Sequence, residues 1–133
     1  DNGRTWTSHP APGLVADLAA DPGDLDRVLA STDRGPLIST NAGADWRPFA
    51  QRAADRFLWP AGTALYLFDG SGNVRLSRDA GETASLVGTV GAPVVALTAP
   101  GRDDLYAVTR DGRIRRSRDG WRTWATELRL VGD

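Results

Sequence analysis

Six arginines, Arg110, Arg113, Arg115, Arg116, Arg118 and Arg122, fall within thirteen consecutive residues. Guanidinium groups at that density suit an anionic partner or a sugar acid, because each presents a fork of N–H donors to a carboxylate. In "RIRRS" (113–117) strand alternation puts Arg113 and Arg115 on one face and Ile114 and Arg116 on the other. Arg113, Arg115, Arg116 and Arg118 are therefore the candidate anion-binding patch. The plainer reading of the same residues is a solvated outer strand.

The carboxylates form two dense groups, Asp17, Asp21, Asp24 and Asp26, and Asp103 with Asp104. Glycoside hydrolysis needs two acids facing each other at a set separation, but both groups lie where turns are expected, which favours solvated acids. Residues 17–26 lack the regular ligand spacing of a helix–loop–helix calcium site. His9 is the sole histidine, has no partner at metal spacing and precedes Pro10. The glycines form no phosphate-cradling loop, and there is no cysteine. No residue is assigned here to catalysis, to a cofactor or to a metal.

The formal charge of the 133-residue chain is −1, so a global pull toward nucleic acid or an anionic membrane is not expected. All sixteen basic residues are arginine, a bias that suits a GC-rich coding sequence better than a function. No apolar run approaches the roughly 18 residues of a membrane span. The chain opens at "DNGRTW" and has no methionine. The expectation is a piece of a longer, extracellular or cell-envelope-associated protein, with any targeting segment upstream.

What must position these residues is a repeat. Four related stretches, "DNGRTWT" (1–7), "STNAGADWRPF" (39–49), "SRDAGETASLV" (77–87) and "SRDGWRTWATEL" (117–128), recur along the chain. Aligned on Asp1, Asn41, Asp79 and Asp119, they step by 40, 38 and 40 residues. Between them recur short apolar runs such as "RVLAST", "ALYLF" and "DLYAV", each followed by a turn and a second run that ends in the serine before the anchor. About four short strands per roughly 40 residues is the arithmetic of a β-propeller blade. The chain therefore divides into an outer strand of a preceding blade (1–10) and three blades (11–50, 51–90 and 91–133) of one all-β domain. Propellers close with about four to eight blades. The ring expected here has about six to eight, the remainder coming from the same chain or a second copy.

The repeated stretch resembles the Asp-box, or BNR repeat, of sialidases, xyloglucanase-like glycoside hydrolases, sortilin-type receptors and photosystem II assembly-factor-like propellers. The pattern there is Ser-x-Asp-x-Gly-x-Thr-Trp. The first copy keeps Asp1, Gly3, Thr5 and Trp6; the second keeps Gly43 and Trp46 but has Asn41 for the acid. The third keeps Asp79, Gly81 and Thr83 with Ala84 in the tryptophan slot. The fourth keeps Asp119, Thr123 and Trp124, with Trp121 in the glycine slot and Gly120 one residue early. The resemblance implies a hairpin between a blade's third and fourth strands, away from the active face. There the acid accepts local backbone N–H bonds without binding metal, and Trp124 packs back into the core. A sialidase site, with its arginine triad, Tyr–Glu pair and Asp, is not expected. Tyr66 and Tyr106 occupy repeat-equivalent packing positions, and Glu82 and Glu127 are the only glutamates. The expected role is a non-catalytic, rigid binding scaffold for a glycan or protein ligand. The alternatives are a glycoside hydrolase whose catalytic residues lie on other blades, and an assembly-factor-like docking propeller.

Overall fold

The computed structural model describes residue 11 and residues 13–129. Every regular element among them is a strand, and none is a helix that could cross a membrane. The first sheet holds β1 (Val15–Asp21), β2 (Asp24–Thr32), β3 (Gly35–Ser39) and β4 (Arg47–Pro48), paired antiparallel in sequence order. The second holds β5 (Arg56–Ala61), β6 (Ala64–Phe68), β7 (Asn73–Ser77) and β8 (Ser85–Thr89). The third holds β9 (Val94–Thr98), β10 (Leu105–Thr109), β11 (Arg113–Ser117) and β12 (Ala125–Arg129). The expected three four-stranded antiparallel sheets are therefore present. The stretch 1–10, with Asp1, Gly3, Trp6 and His9, lies outside the described residues.

The turns follow from their chemistry. At "DGSGN", Asp69 accepts the N–H groups of Ser71 (2.9 Å) and Asn73 (3.1 Å) through Oδ1, the Asx-turn habit of a short carboxylate. Arg75 (3.8 Å) stands beside its other oxygen. "RIRRS" becomes β11, which pairs with β10 on one side and β12 on the other. It is thus an interior strand and not the outer one.

Each sheet has apolar residues on both faces, and the sheets stack through them. β6 is the clearest case, with all five residues of "ALYLF" buried. Leu65 and Leu67 face the first sheet and pack with Leu29, Ile38, Phe49, Phe57 and Trp59. Tyr66 and Phe68 face the third sheet and pack with Val74, Leu105, Ala107 and Trp121. A strand buried on both sides reads as an unbroken apolar run.

The two seams are closed by opposite means. At the first, Phe49 of the first sheet lies so close to Gly81 that a Cβ there would meet its ring at 2.1 Å. At the second, the main chain at Trp121 lies against Gly88, where a Cβ would meet the Trp121 carbonyl oxygen at 1.7 Å. Phe49 stands edge-on to Phe57, and Trp121 edge-on to Phe68, with ring centroids 6.2 and 6.3 Å apart. The first seam thus sets an aromatic ring against a glycine, and the second sets the main chain at Trp121 against one.

At the inner edge, β5 runs between β1 and β9. The first sheet is tied to the second by Phe57 N–H donating to Asp17 Oδ2 (2.9 Å) and Arg56 Nη1 donating to the Ala16 carbonyl (3.3 Å). Burial holds the Asp17 carboxyl above its ordinary value, against the lowering effect of the Phe57 N–H and Arg56.

Gly88 is the sharpest test of this stacking. Gly88→Ala is expected to lower stability to urea by about 1–3 kcal/mol, the usual cost of overpacking. An unchanged unfolding midpoint would show that the third sheet does not seat on β8.

Candidate functional site

The three described hairpins between third and fourth strands share one hydrogen-bond scheme. In the second sheet, Ser77 Oγ donates to Asp79 Oδ1 (2.8 Å) and accepts the Gly81 N–H (2.7 Å). Asp79 then accepts the Thr83 N–H at Oδ1 (2.9 Å) and the Thr83 hydroxyl at Oδ2 (2.5 Å). In the third sheet Ser117, Asp119, Trp121 and Thr123 repeat these bonds one for one. In the first, Asn41 Oδ1 accepts from Ser39 Oγ (2.9 Å) and from the Asp45 N–H (2.8 Å), and its amide donates to Asp45 Oδ2 (2.8 Å). Asparagine with aspartate thus does the work of aspartate with threonine.

Each hairpin turns through two consecutive left-handed residues. These are Ala42 and Gly43, Ala80 and Gly81, and Gly120 and Trp121, with φ between 60° and 90°. A bulky residue at φ 70°, as Trp121 has, is strained. Its side chain is 0% exposed, and burial of a ring that size offsets the strain. Trp121, not Trp124, is the core tryptophan of this hairpin. Trp124 is 38% exposed and lies under the Arg115 guanidinium, 4.3 Å from the ring centroid. The expected inward packing of Trp124 fails because Trp121 already fills the seam. Trp46 folds back on its own hairpin, and its indole donates to the Gly43 carbonyl (3.0 Å).

The structure does not gather Arg113, Arg115, Arg116 and Arg118 into one patch. Arg115 is buried and donates from Nη1 to the Val90 carbonyl across the second seam (2.6 Å). Arg116 grips Asp104 with two bonds (2.9 and 2.8 Å) and lies over the Tyr106 ring. Arg113 pairs with Asp111 (3.2 Å), whose carboxylate also accepts the Thr109 hydroxyl. Arg118 is exposed in the hairpin. Alternation and nearby acids disperse the group.

The acidic clusters are also used structurally. Asp17 and Asp21 belong to β1 and are not solvated turn residues; Asp21 is 3% exposed, accepts the Gly23 N–H (2.8 Å) and pairs with Arg27 (3.1 Å). Asp24 and Asp26 are exposed. Asp103 accepts the hydroxyl of Tyr66 (2.8 Å), a phenol that burial and this bond push above its ordinary pKa. Among the described residues no three His, Cys, Asp or Glu side chains are grouped to hold a metal.

Clefts open between the sheets. One, of about 640 Å³, lies between the first and second sheets on the hairpin side. Its floor includes Ile38, Phe49 and Ala80, and its walls carry Arg27, Arg47, Arg78, Asp79 and Glu82. Another, of about 440 Å³, runs along the inner strands past Asp17, Arg56, Phe57 and Val95. Arg47 and Arg78 come from different sheets, so no spacing in the sequence joins them. The one available signal is that Arg78 and Arg118 occupy the same slot of "SRD", one repeat apart.

No protein-family model matches this chain, and no curated protein matches it in sequence. Solved structures do. YCF48 from Cyanidioschyzon merolae is similar over 91% of this chain and 39% of its own, with a TM-score of 0.72 and 20% identity. A structure of YCF48 bound to D1 peptide is similar over 93% of this chain and 44% of its own (0.65, 13%). The GH74 xyloglucanase from Xanthomonas campestris is similar over 97% and 21% (0.62, 20%). These are β-propeller proteins. The three sheets are propeller blades. The chain spans less than half the length of each of these neighbours.

Two outcomes follow from the hairpins. Ser117→Ala leaves the Asp119 and Trp121 N–H groups without their acceptor and is expected to cost about 1–3 kcal/mol in chemical denaturation; a silent substitution would remove the serine from the brace. Hydrogen bonds from Thr83 and Thr123 hold Asp79 and Asp119 down to about 2, below the ordinary 3.8. Because the folded values are the lower ones, their stabilisation is complete above about pH 4 and is lost as pH falls through about 2. Melting temperatures recorded from pH 5 to 2 should fall, and less steeply for Asp119→Asn, which keeps an acceptor but cannot titrate. Equal slopes would refute the assignment.

Proposed function

We propose that this chain is part of a non-catalytic propeller whose hairpins are Asp-boxes, and that it serves as a rigid scaffold for a partner outside the cell or in its envelope. One observation carries the reading. Of the carboxylates lining clefts, Asp17, Asp45, Asp69 and Asp79 each accept structural hydrogen bonds. Only Glu82 has no such bond to its carboxylate among the described residues. Glycoside hydrolysis needs a facing pair of free acids, and among the described residues the cleft linings offer a single one, Glu82. The likeness to YCF48 bound to D1 peptide supports a docking role for a protein partner.

The second reading is a glycoside hydrolase whose acids sit on other blades, supported by the likeness to the GH74 xyloglucanase. Incubation of the full-length protein, with its remaining blades, with xyloglucan and with a sialylated oligosaccharide separates the two. The scaffold reading expects no new reducing ends and no free sialic acid. Turnover of either substrate that survives repurification and is lost on unfolding would overturn it.

A further inference from the structure

We propose that the third blade of one copy of this chain docks on the first blade of a second copy, with the Tyr106 hydroxyl donating to Asp26. Among the described residues, the first and third sheets each have one face that no other sheet covers. In the third, Leu105 and Ala107 of β10 pack toward the second blade. Alternation turns Tyr106 and Val108 the other way, and Arg116 and Ile114 of β11 stand opposite them on that outward face. In the first, Ala19, Leu29 and Ile38 pack toward the second blade, so Leu18, Val28 and Leu37 face away from it. Leu18 is 59% exposed.

The second seam shows what joins two such faces. There the Tyr66 hydroxyl donates to Asp103 of the following blade (2.8 Å). Tyr66 stands opposite Leu76, the residue before the hairpin serine. Asp103 lies two residues before Leu105, which pairs with the hairpin serine of its own blade. In the third blade the place of Tyr66 is taken by Tyr106, opposite Arg116. In the first blade the place of Asp103 is taken by Asp26, two residues before Val28, the partner of Ser39. The main chain agrees. The Asp103 carbonyl accepts the Gly120 N–H (3.2 Å), and the Asp26 carbonyl accepts the Ala42 N–H (2.8 Å).

The first seam lacks this bond and lacks both halves of it. Leu29 stands in the place of the tyrosine and Thr63 in that of the aspartate. Tyrosine thus goes with aspartate, and leucine with threonine. Among the described residues neither the Tyr106 hydroxyl nor the Asp26 carboxylate has a hydrogen bond or an ion pair, and Asp26 is exposed. Both halves of the unused pair lie on this one chain, which points to a second copy as the occupant. A head-to-tail contact closes into a ring when its rotation allows. Propellers close with about four to eight blades, and six is the one multiple of three in that range. Two copies would therefore complete a single ring through two identical contacts.

One position fits less well. Ala42 takes the slot of Gly120, where a Cβ would meet the Tyr66 hydroxyl at 2.8 Å. That oxygen is the tip of a side chain and can yield, so Ala42 loosens the contact without barring it.

Sedimentation velocity of the full-length protein should show a monomer–dimer equilibrium. Tyr106→Phe and Asp26→Ala should each weaken the dimer at least about tenfold, as loss of a hydrogen bond to a charged group does. The double variant should be little weaker than either, since both remove the same bond. The melting curve of dilute, monomeric protein should not move. Mixing the two single variants should restore part of the affinity, because each mixed ring regains one Tyr106–Asp26 pair; a folding defect in either chain would not be repaired in this way. Ala42→Gly should tighten the dimer. Glu82→Gln, at an exposed acid in the cleft between the first two blades, is the control and should leave association unchanged.

A monomer at every concentration would leave the open faces to further blades of the same chain and overturn the proposal. A dimer indifferent to both substitutions would use another surface, and assemblies that grow past two copies would not be a closed ring; either result overturns it as well. None of these outcomes bears on whether the propeller is catalytic, so the readings of the preceding section are decided by their own test.

Discussion

A four-stranded sheet that is apolar on both faces must be covered twice, and that requirement organises this molecule. No blade has a core of its own. Leu65 and Leu67 are buried only because the first blade lies over them, and Tyr66 and Phe68 only because the third does. Stability in such an array is shared between neighbours, each seam contributing what an ordinary domain obtains from its centre. The inner-edge bonds from Phe57 to Asp17 and from Arg56 to Ala16 fix the angle at which the first two blades meet.

The hairpins make that stacking reproducible. A serine hydroxyl and a short carboxylate satisfy the amide groups of a turn that points toward the neighbouring blade. The turn is therefore rigid before it meets the partner surface, and what it presents there is one residue, Gly81 or Trp121. Because these acids are spent on backbone amides, they are withdrawn from chemistry.

The period, the strands and the turns could be read in the sequence because each depends on residues close together in the chain. "ALYLF" and the Ser-Arg-Asp stretches carry their own instructions. The tryptophans could not be sorted in the same way. Trp124 matches the repeat pattern and Trp121 departs from it, yet Trp121 takes the buried place, because its ring packs edge-on against Phe68 of another blade. The dense run of arginines near Arg115 drew attention by proximity alone, but alternation and acids from nearby loops disperse it. Arg47 and Arg78 are unremarkable in sequence and meet only through stacking. Local order is written in local residues; what two blades build together is not.

The unlike seams bear on how an internally repetitive chain avoids confusing its own parts. Blades alike in length and pattern could in principle dock out of order during folding, a recurrent failure of repeat proteins. Here the first seam sets the Phe49 ring of the leading blade against Gly81 of the following one, while the second sets the main chain at Trp121 of the following blade against Gly88 of the leading one. A third blade docked on the first would bring Trp121, the hairpin equivalent of Gly81, to the place where Gly81 clears the Phe49 ring. The two seams differ in shape, and that difference favours the native order of blades even where the sequences repeat.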